Sequence, residues 1–119
     1  DGYIHGLPVP FLGQPSSAVV GPATFAKKFG SPVVPIFTSR KPEGGHIVHI
    51  LPPLHYNNSG DDDVDMYTLT EECVRVTEDF IREHPDEWIW FQHRWMTKMS
   101  EIVDYYKKLE IRERAHEKQ

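Results

Sequence analysis

The sequence predicts a mixed α/β fold: a small sheet with at least two adjacent strands, flanked by three or four helices. Three observations carry this. All eight glycines and nine of the ten prolines lie in the first sixty residues, so the two halves of the chain differ in architecture. Pro32 to Phe37 (PVVPIF) and His46 to Leu51 (HIVHIL) are β-rich runs bounded by turn residues. Beyond residue 66 the apolar positions recur at helical spacing. Read in isolation, with strands first and helices after, the same pattern falls in the α+β class.

Taken in order, Gly21-Pro22 followed by Ala23 to Phe29 and Gly30 predicts a short helix, with proline in its first turn and glycine just past its end. The link Thr38 to Gly45 is short, which makes the two β-rich runs neighbours. Both runs are apolar on alternate sides at once, the pattern of a sheet covered on both faces, and Pro35 marks an edge or a bulge. Tyr56 to Asp65 (YNNSGDDDVD) is polar and aperiodic and reads as a loop. Asp61, Asp62, Asp63 and Asp65 lack the remainder of an EF-hand pattern, so a solvated loop is favoured over a calcium site.

From Tyr67 to Glu83 the residues Leu69, Cys73, Val76, Phe80 and Ile81 form the stripe of an amphipathic helix that Pro85 stops. A second helix is expected from near Asp86, carrying Trp88, Ile89, Trp90, Phe91 and Trp95. Aromatic residues at that spacing favour the core over a membrane interface. Met99, Ile102, Val103, Tyr106 and Leu109 continue a narrow stripe, with Asp104 and Lys108 paired outside it, and a frayed end is expected beyond.

A chain of 119 residues supports one modest domain. Its net charge of -5 removes the long-range attraction to phosphate polyanions, which sets nucleic acid aside as a partner. The single cysteine, Cys73, cannot form an internal disulfide and suits a reducing compartment. No apolar run approaches the roughly 18 residues of a membrane span. His46 and His49, three apart on a strand, point to opposite faces and make a poor pair of metal ligands. No metal or other cofactor is expected. Ser16 and Ser17 lie outside any Gly-x-Ser-x-Gly elbow, and Cys73 sits on an apolar stripe, where a buried structural thiol is favoured over a nucleophile.

Five stretches occur in a fixed order: Gly6 to Gly13 (GLPVPFLG), Pro15 to Ala23 (PSSAVVGPA), Ser31 to Arg40 (SPVVPIFTSR), Ile50 to Pro53 (ILPP) and Ile81 to Trp95 (IREHPDEWIWFQHRW). Together they resemble the lysophospholipid-acyltransferase-like family that includes the lipid A lauroyl and palmitoleoyl acyltransferases. The closing motif departs from the family's usual Trp-x-His-Arg-Arg-Trp; Arg94 and the tryptophans carry over. Asp1 falls at the last position of the family's Asp-Gln-Asp or Asp-Gln-Asn run, and the chain does not open on methionine, so an excised piece is expected. The resemblance implies the C-terminal segment of a larger acyltransferase α/β sandwich. Residues 1–95 would belong to the acyltransferase domain and 96–119 to a helical extension, with an apolar sheet edge or face left uncovered that favours a homodimer.

Acyl transfer to a hydroxyl needs a base for the alcohol proton and donors for the oxyanion. In the family the base is a histidine followed, after four residues, by an aspartate or glutamate. Five positions after His5, His46, His49, His55, His84 and His93 stand Pro10, Leu51, Leu54, Gly60, Ile89 and Lys98, and His116 runs out of chain. This chain therefore carries no catalytic residue of that kind and is expected to be inactive by itself.

The candidate substrate-binding residues are Ser16, Ser17, Gly21, Arg40 and Arg94. Ser16 and Ser17, with the turn into Gly21, offer donors for an acyl or sugar head group, or simply precede a helix start. Arg40 suits a phosphate of the lipid acceptor or of the acyl carrier, and the resemblance favours that over a solvated ion pair. Arg94, flanked by aromatics, is expected to pack on Trp90 or Trp95 and pair with a carboxylate.

The function implied by the resemblance is transfer of a fatty acyl group from acyl carrier protein to a hydroxyl of a lipid A precursor. It would occur at the cytoplasmic face of the bacterial inner membrane, with this segment itself soluble. Another glycolipid or a glycerophospholipid acceptor stays open. So does a stand-alone lipid- or partner-binding module working through a Met99 to Leu109 helix.

Overall fold

One long helix organises the chain. The computed structural model describes residues 1–55 and 58–118; Tyr56 and Asn57, at the head of the acidic stretch, lie outside the described residues. α2 spans Asp62–Glu83. It starts five residues earlier than its apolar stripe predicts, because the acidic run is its cap and first turn rather than a loop. Asp61 is the N-cap and accepts a hydrogen bond from the Val64 amide at 3.2 Å, while Asp62, Asp63 and Asp65 place negative charge where the helix dipole favours it. The helix ends at Glu83, just before Pro85.

Two apolar clusters line α2. Val64 and Tyr67 pack with Leu7, Val9 and Ala18 from the N-terminal segment and with Ile111 and Ala115. Leu69 packs with Ala23 and Ala26 of α1 (Gly21–Phe29), backed by Val33 and Leu54. Each fully buried aliphatic of this size contributes about 1.5–3 kcal/mol. Tyr67 is wholly buried and its hydroxyl donates to the Pro8 carbonyl at 3.3 Å, so its one polar atom is satisfied. α1 matches expectation, with Pro22 in its first turn and Gly30 at φ 63° closing it.

β1 (Leu7–Pro8) and β2 (Ser17–Ala18) form a minimal antiparallel pair. β3 (Ile36–Arg40) and β4 (His46–Ile50) form an antiparallel hairpin in register from Ile36↔Ile50 to Arg40↔His46. Gly44 and Gly45, at φ 102° and 82°, make the reversal. Pro35 lies just before β3, an edge strand of a two-stranded sheet, as its missing N–H leads one to expect, and its carbonyl accepts from the Leu51 amide at 3.0 Å.

The sheet is not covered on both faces. Phe37 stacks on Phe80 of α2 at 4.5 Å and Ser39 is buried, whereas Ile36, Val48 and Ile50 on the other face are 60%, 59% and 69% exposed. The apolar alternation of the two strands thus marks a sheet face that nothing in the described chain covers.

The expected helix from Asp86 to Trp95 does not form. Pro85–Glu87 is a single 3-10 turn, followed by turns whose amides bond two or three residues back, Trp90 to Trp88 and Gln92 to Ile89. The aromatics there point to separate partners. The rings of Trp88 and Trp95 each sit 5.6 Å from Phe11, and the Trp90 indole donates to the Pro85 carbonyl at 2.7 Å. Trp90 and Phe91 are exposed, so the core reading fails for them.

The last helix is also displaced. α3 is Tyr105–Glu117, not Met99 to Leu109, and it does not fray. Ile111 and Ala115 bury its inner face, and an Arg114 to Asp61 ion pair (3.1 Å) and a hydrogen bond between His116 and Glu71 (2.9 Å) tie it to α2. Lys108 reaches back to the Gly6 carbonyl at 3.1 Å instead of pairing outward with Asp104.

Candidate functional site

The first twenty residues have almost no regular structure of their own, so side chains from far along the chain fix them. Gly6 begins the motif, and a Cβ there would fall on Ser17 Oγ and within 2.7 Å of the Ala18 carbonyl. Gly2 meets the same strand, its amide donating to the Ser17 carbonyl at 2.7 Å. The Ser17 hydroxyl donates to the Tyr3 carbonyl at 2.6 Å, which uses this fully buried serine as a structural clamp. Phe11 and Gln14 exchange both backbone hydrogen bonds around a turn in which Leu12 and Gly13 have positive φ.

Arg94 enters this corner from the other end of the chain. Its guanidinium lies 4.4 Å from the centre of the Phe11 ring, and Nη1 donates to Ser16 Oγ and, at 3.2 Å, to the Ser17 carbonyl. Phe11, rather than Trp90 or Trp95, takes the cation, and neutral oxygens replace the expected carboxylate. The tryptophan nearest it, Trp95, is itself turned onto Phe11 and donates to the Phe11 carbonyl at 3.2 Å. Burial lowers the Arg94 pKa from its ordinary value, and a guanidinium remains charged all the same.

Asp1 completes the corner. Its Oδ1 accepts from the Tyr3 amide and the Thr97 hydroxyl, both at 2.7 Å, and its Oδ2 accepts from the Met96 and Thr97 amides, both at 2.9 Å. One carboxylate therefore ties the start of the chain to the turn that presents Arg94. Asp1, Phe11 and Trp95 were not singled out as site residues from the sequence. The acidic position of the family run was the only signal for Asp1.

Of the five candidates, the fold brings Ser16, Ser17 and Arg94 together. Gly21 stands in the first turn of α1, where no side chain caps the helix and an added Cβ would meet nothing. Arg40 is exposed and held elsewhere: its Nε meets Glu87 Oε2 at 3.2 Å and its amide donates to Glu87 Oε1 at 2.7 Å. The Arg40 amide, then its guanidinium charge, holds the Glu87 carboxyl below the usual range. The ion-pair reading of Arg40 thus describes this structure.

His46 and His49 do lie on opposite faces: His46 is exposed, while His49 meets the buried Ser39 hydroxyl at 2.7 Å. Cys73 is half-buried, and burial, then the Glu72 charge, pushes its thiol up and keeps it protonated. Among the described residues, no helix is long and apolar enough to cross a membrane.

A family model described as bacterial lipid A biosynthesis acyltransferase matches residues 2–97. The chain belongs to the bacterial lipid A biosynthesis acyltransferases. No curated protein and no solved structure matched it. The matched span holds β1, β2, the Phe11 turn and Arg94, so nearly the whole corner is shared acyltransferase sequence. It stops before α3.

Proposed function

We propose that this chain forms part of an acyltransferase that moves a fatty acyl group from acyl carrier protein to a hydroxyl of a lipid A precursor. The match over residues 2–97 carries the reading. In it, residues 1–95 belong to the acyltransferase domain, and 96–119 are a helical extension folded back on α2.

The corner around Arg94 is the substrate-facing part. Arg94 spends Nη1 on Ser16 and Ser17, which leaves Nε and Nη2 to meet an anionic oxygen of donor or acceptor. The exposed stretch Ile89, Trp90, Phe91 and Met96 suits contact with the cytoplasmic surface of the inner membrane. The base that takes the acceptor's proton is supplied by a His-x4-Asp/Glu segment outside these 119 residues, since none of the seven histidines here has that spacing.

The test is acyl transfer from acylated carrier protein to the lipid A precursor. The chain alone should give no product. Adding a polypeptide that carries the histidine motif should restore transfer, and Arg94→Met should abolish that restoration. Turnover by the chain alone would overturn the placement of the base.

A further inference from the structure

A small cavity beside Ser16 collects three donors that the fold leaves unused. It has a volume of about 150 Å³, several times the ~30 Å³ share of a liquid water, and its walls are Pro8, Pro10 and Pro15. Ser16, Tyr105 and Arg112 supply its polar lining. Ser16 Oγ accepts from Arg94, so its own O–H is left to donate, and that proton has no acceptor among the described residues. The half-buried Tyr105 hydroxyl has no hydrogen-bond partner among the described residues either.

Arg112 is the decisive group. Arg40, Arg75, Arg82, Arg94 and Arg114 are each hydrogen-bonded or ion-paired. Arg112 is half-buried and has neither among the described residues. Arg112 also lines a second, larger groove with three carboxylates, Glu71, Glu72 and Glu78, and each of these is already engaged. Glu71 pairs with His116 at 2.9 Å, Glu72 with Arg75, and Glu78 accepts from the Leu12 amide at 2.7 Å. A half-buried guanidinium that makes no hydrogen bond or ion pair keeps its full set of donors for a bound anion.

We propose that the cavity is an anion subsite for a phosphate group, with the Arg112 guanidinium supplying charge and the Ser16 and Tyr105 hydroxyls donating hydrogen bonds. Tyr105 and Arg112 come from α3, beyond the family match, whereas Ser16 and the three prolines lie within it, so the subsite joins the shared corner to the C-terminal helix. It does not depend on the acyl-transfer reading, because binding is measured with no acyl donor present. The phosphate could sit on a lipid head group or on a soluble ester.

Inorganic phosphate titrated into the whole chain should give saturable amide shifts at Ser16, Tyr105 and Arg112 in 1H–15N NMR, absent with chloride at equal ionic strength. Arg112→Gln should weaken binding about tenfold, and Tyr105→Phe by about threefold. Both side chains are partly exposed, and a thermal melt of each variant checks that the fold persists. A second arm compares phosphatidylcholine vesicles with and without phosphatidic acid. A preference for the acid that Arg112→Gln removes identifies a lipid phosphate; phosphate binding without that preference identifies a soluble ester. Absence of saturable shifts, or shifts unchanged in Arg112→Gln, would overturn the subsite while leaving acyl transfer untouched.

Discussion

The Arg94 corner and the β3–β4 hairpin are ordered by opposite means. The hairpin is regular: a backbone ladder holds it, and one face rests on Phe80. The corner has two strands of two residues each and depends on side chains that reach it from far along the chain, 96 positions between Asp1 and Thr97 and 102 between Gly6 and Lys108. Ladder bonds survive most side-chain changes, because the backbone makes them. The corner's bonds do not, because each belongs to one residue type. The corner should therefore be sensitive to single substitutions, while the hairpin's outer face should tolerate them and pay instead in surface chemistry.

The largest effect is expected at the joint between the two regions. α1 separates them in sequence, and its Lys27 reaches the buried Asp65 carboxylate at 2.8 Å. Asp65 also accepts from the Ser59 hydroxyl at 2.6 Å. Burial alone would raise this carboxyl, but the hydrogen bonds from Lys27 and Ser59, with the Lys27 charge, outweigh it and hold the pKa below the ordinary value. Asp65→Ala should cost roughly 3 kcal/mol in urea unfolding, since it removes the buried acceptor shared by Lys27 and Ser59 and leaves the ammonium only its more exposed partners, Asp62 at 2.9 Å among them. The sign of the pH dependence follows from the lowered value. The stabilisation is complete above the unfolded carboxyl's titration and is lost as pH falls through the folded one. The gap between wild type and Asp65→Asn should therefore close below about pH 4. A gap that widened in acid would contradict the ion-pair account.

Arg94→Met should come next. It leaves the buried Ser16 hydroxyl and Ser17 carbonyl without their shared donor, which costs about 2 kcal/mol. Arg94→Lys keeps the charge but not the planar fork and should recover about half of that. Hydrogen exchange sharpens the comparison. In Arg94→Met, amides of residues 2–18 should lose protection while those of β3 and β4 keep theirs; equal loss in both would mean that the two regions unfold as one unit.

The contrast also explains what could be read from sequence. The pairing of two adjacent strands, α1 and the middle of α2 were legible because periodicity and turn residues are local signals, although the first strand starts at Ile36 rather than Pro32 and takes in Thr38 to Arg40 of the expected link. Ser16, Ser17 and Arg94 were each legible as candidates, but their contact spans 78 positions and no local pattern encodes it. The stretch from Trp88 to Trp95 misled for the same reason. Its aromatic density suits a helix face, yet Trp88 and Trp95 are both claimed by Phe11, and the backbone follows the side chains. At α3 the signal was weak rather than distant, since Ile111 and Ala115 alone mark the inner face among charged neighbours. The acidic run before α2 was informative and misassigned: Asp61 at a cap and three acids in the next turn are a helix start.

The smallest effect on stability is expected on the hairpin's outer face, where the effect on association should be large. Ile50→Lys changes a residue that is 69% exposed and should alter unfolding by no more than about 0.5 kcal/mol. The same substitution breaks the apolar surface shared with Ile36 and Val48, which the acyltransferase reading assigns to cover by the rest of the sandwich. The chain by itself should dimerise through that face in sedimentation, and Ile50→Lys should leave it monomeric. Tyr106→Glu is the matched control, because Tyr106 is 80% exposed on α3 and belongs to the helix that a stand-alone module would use. Loss of the dimer in Tyr106→Glu, with Ile50→Lys unchanged, would move the interface to α3. The chain would then be better described as a binding module than as part of a larger sheet.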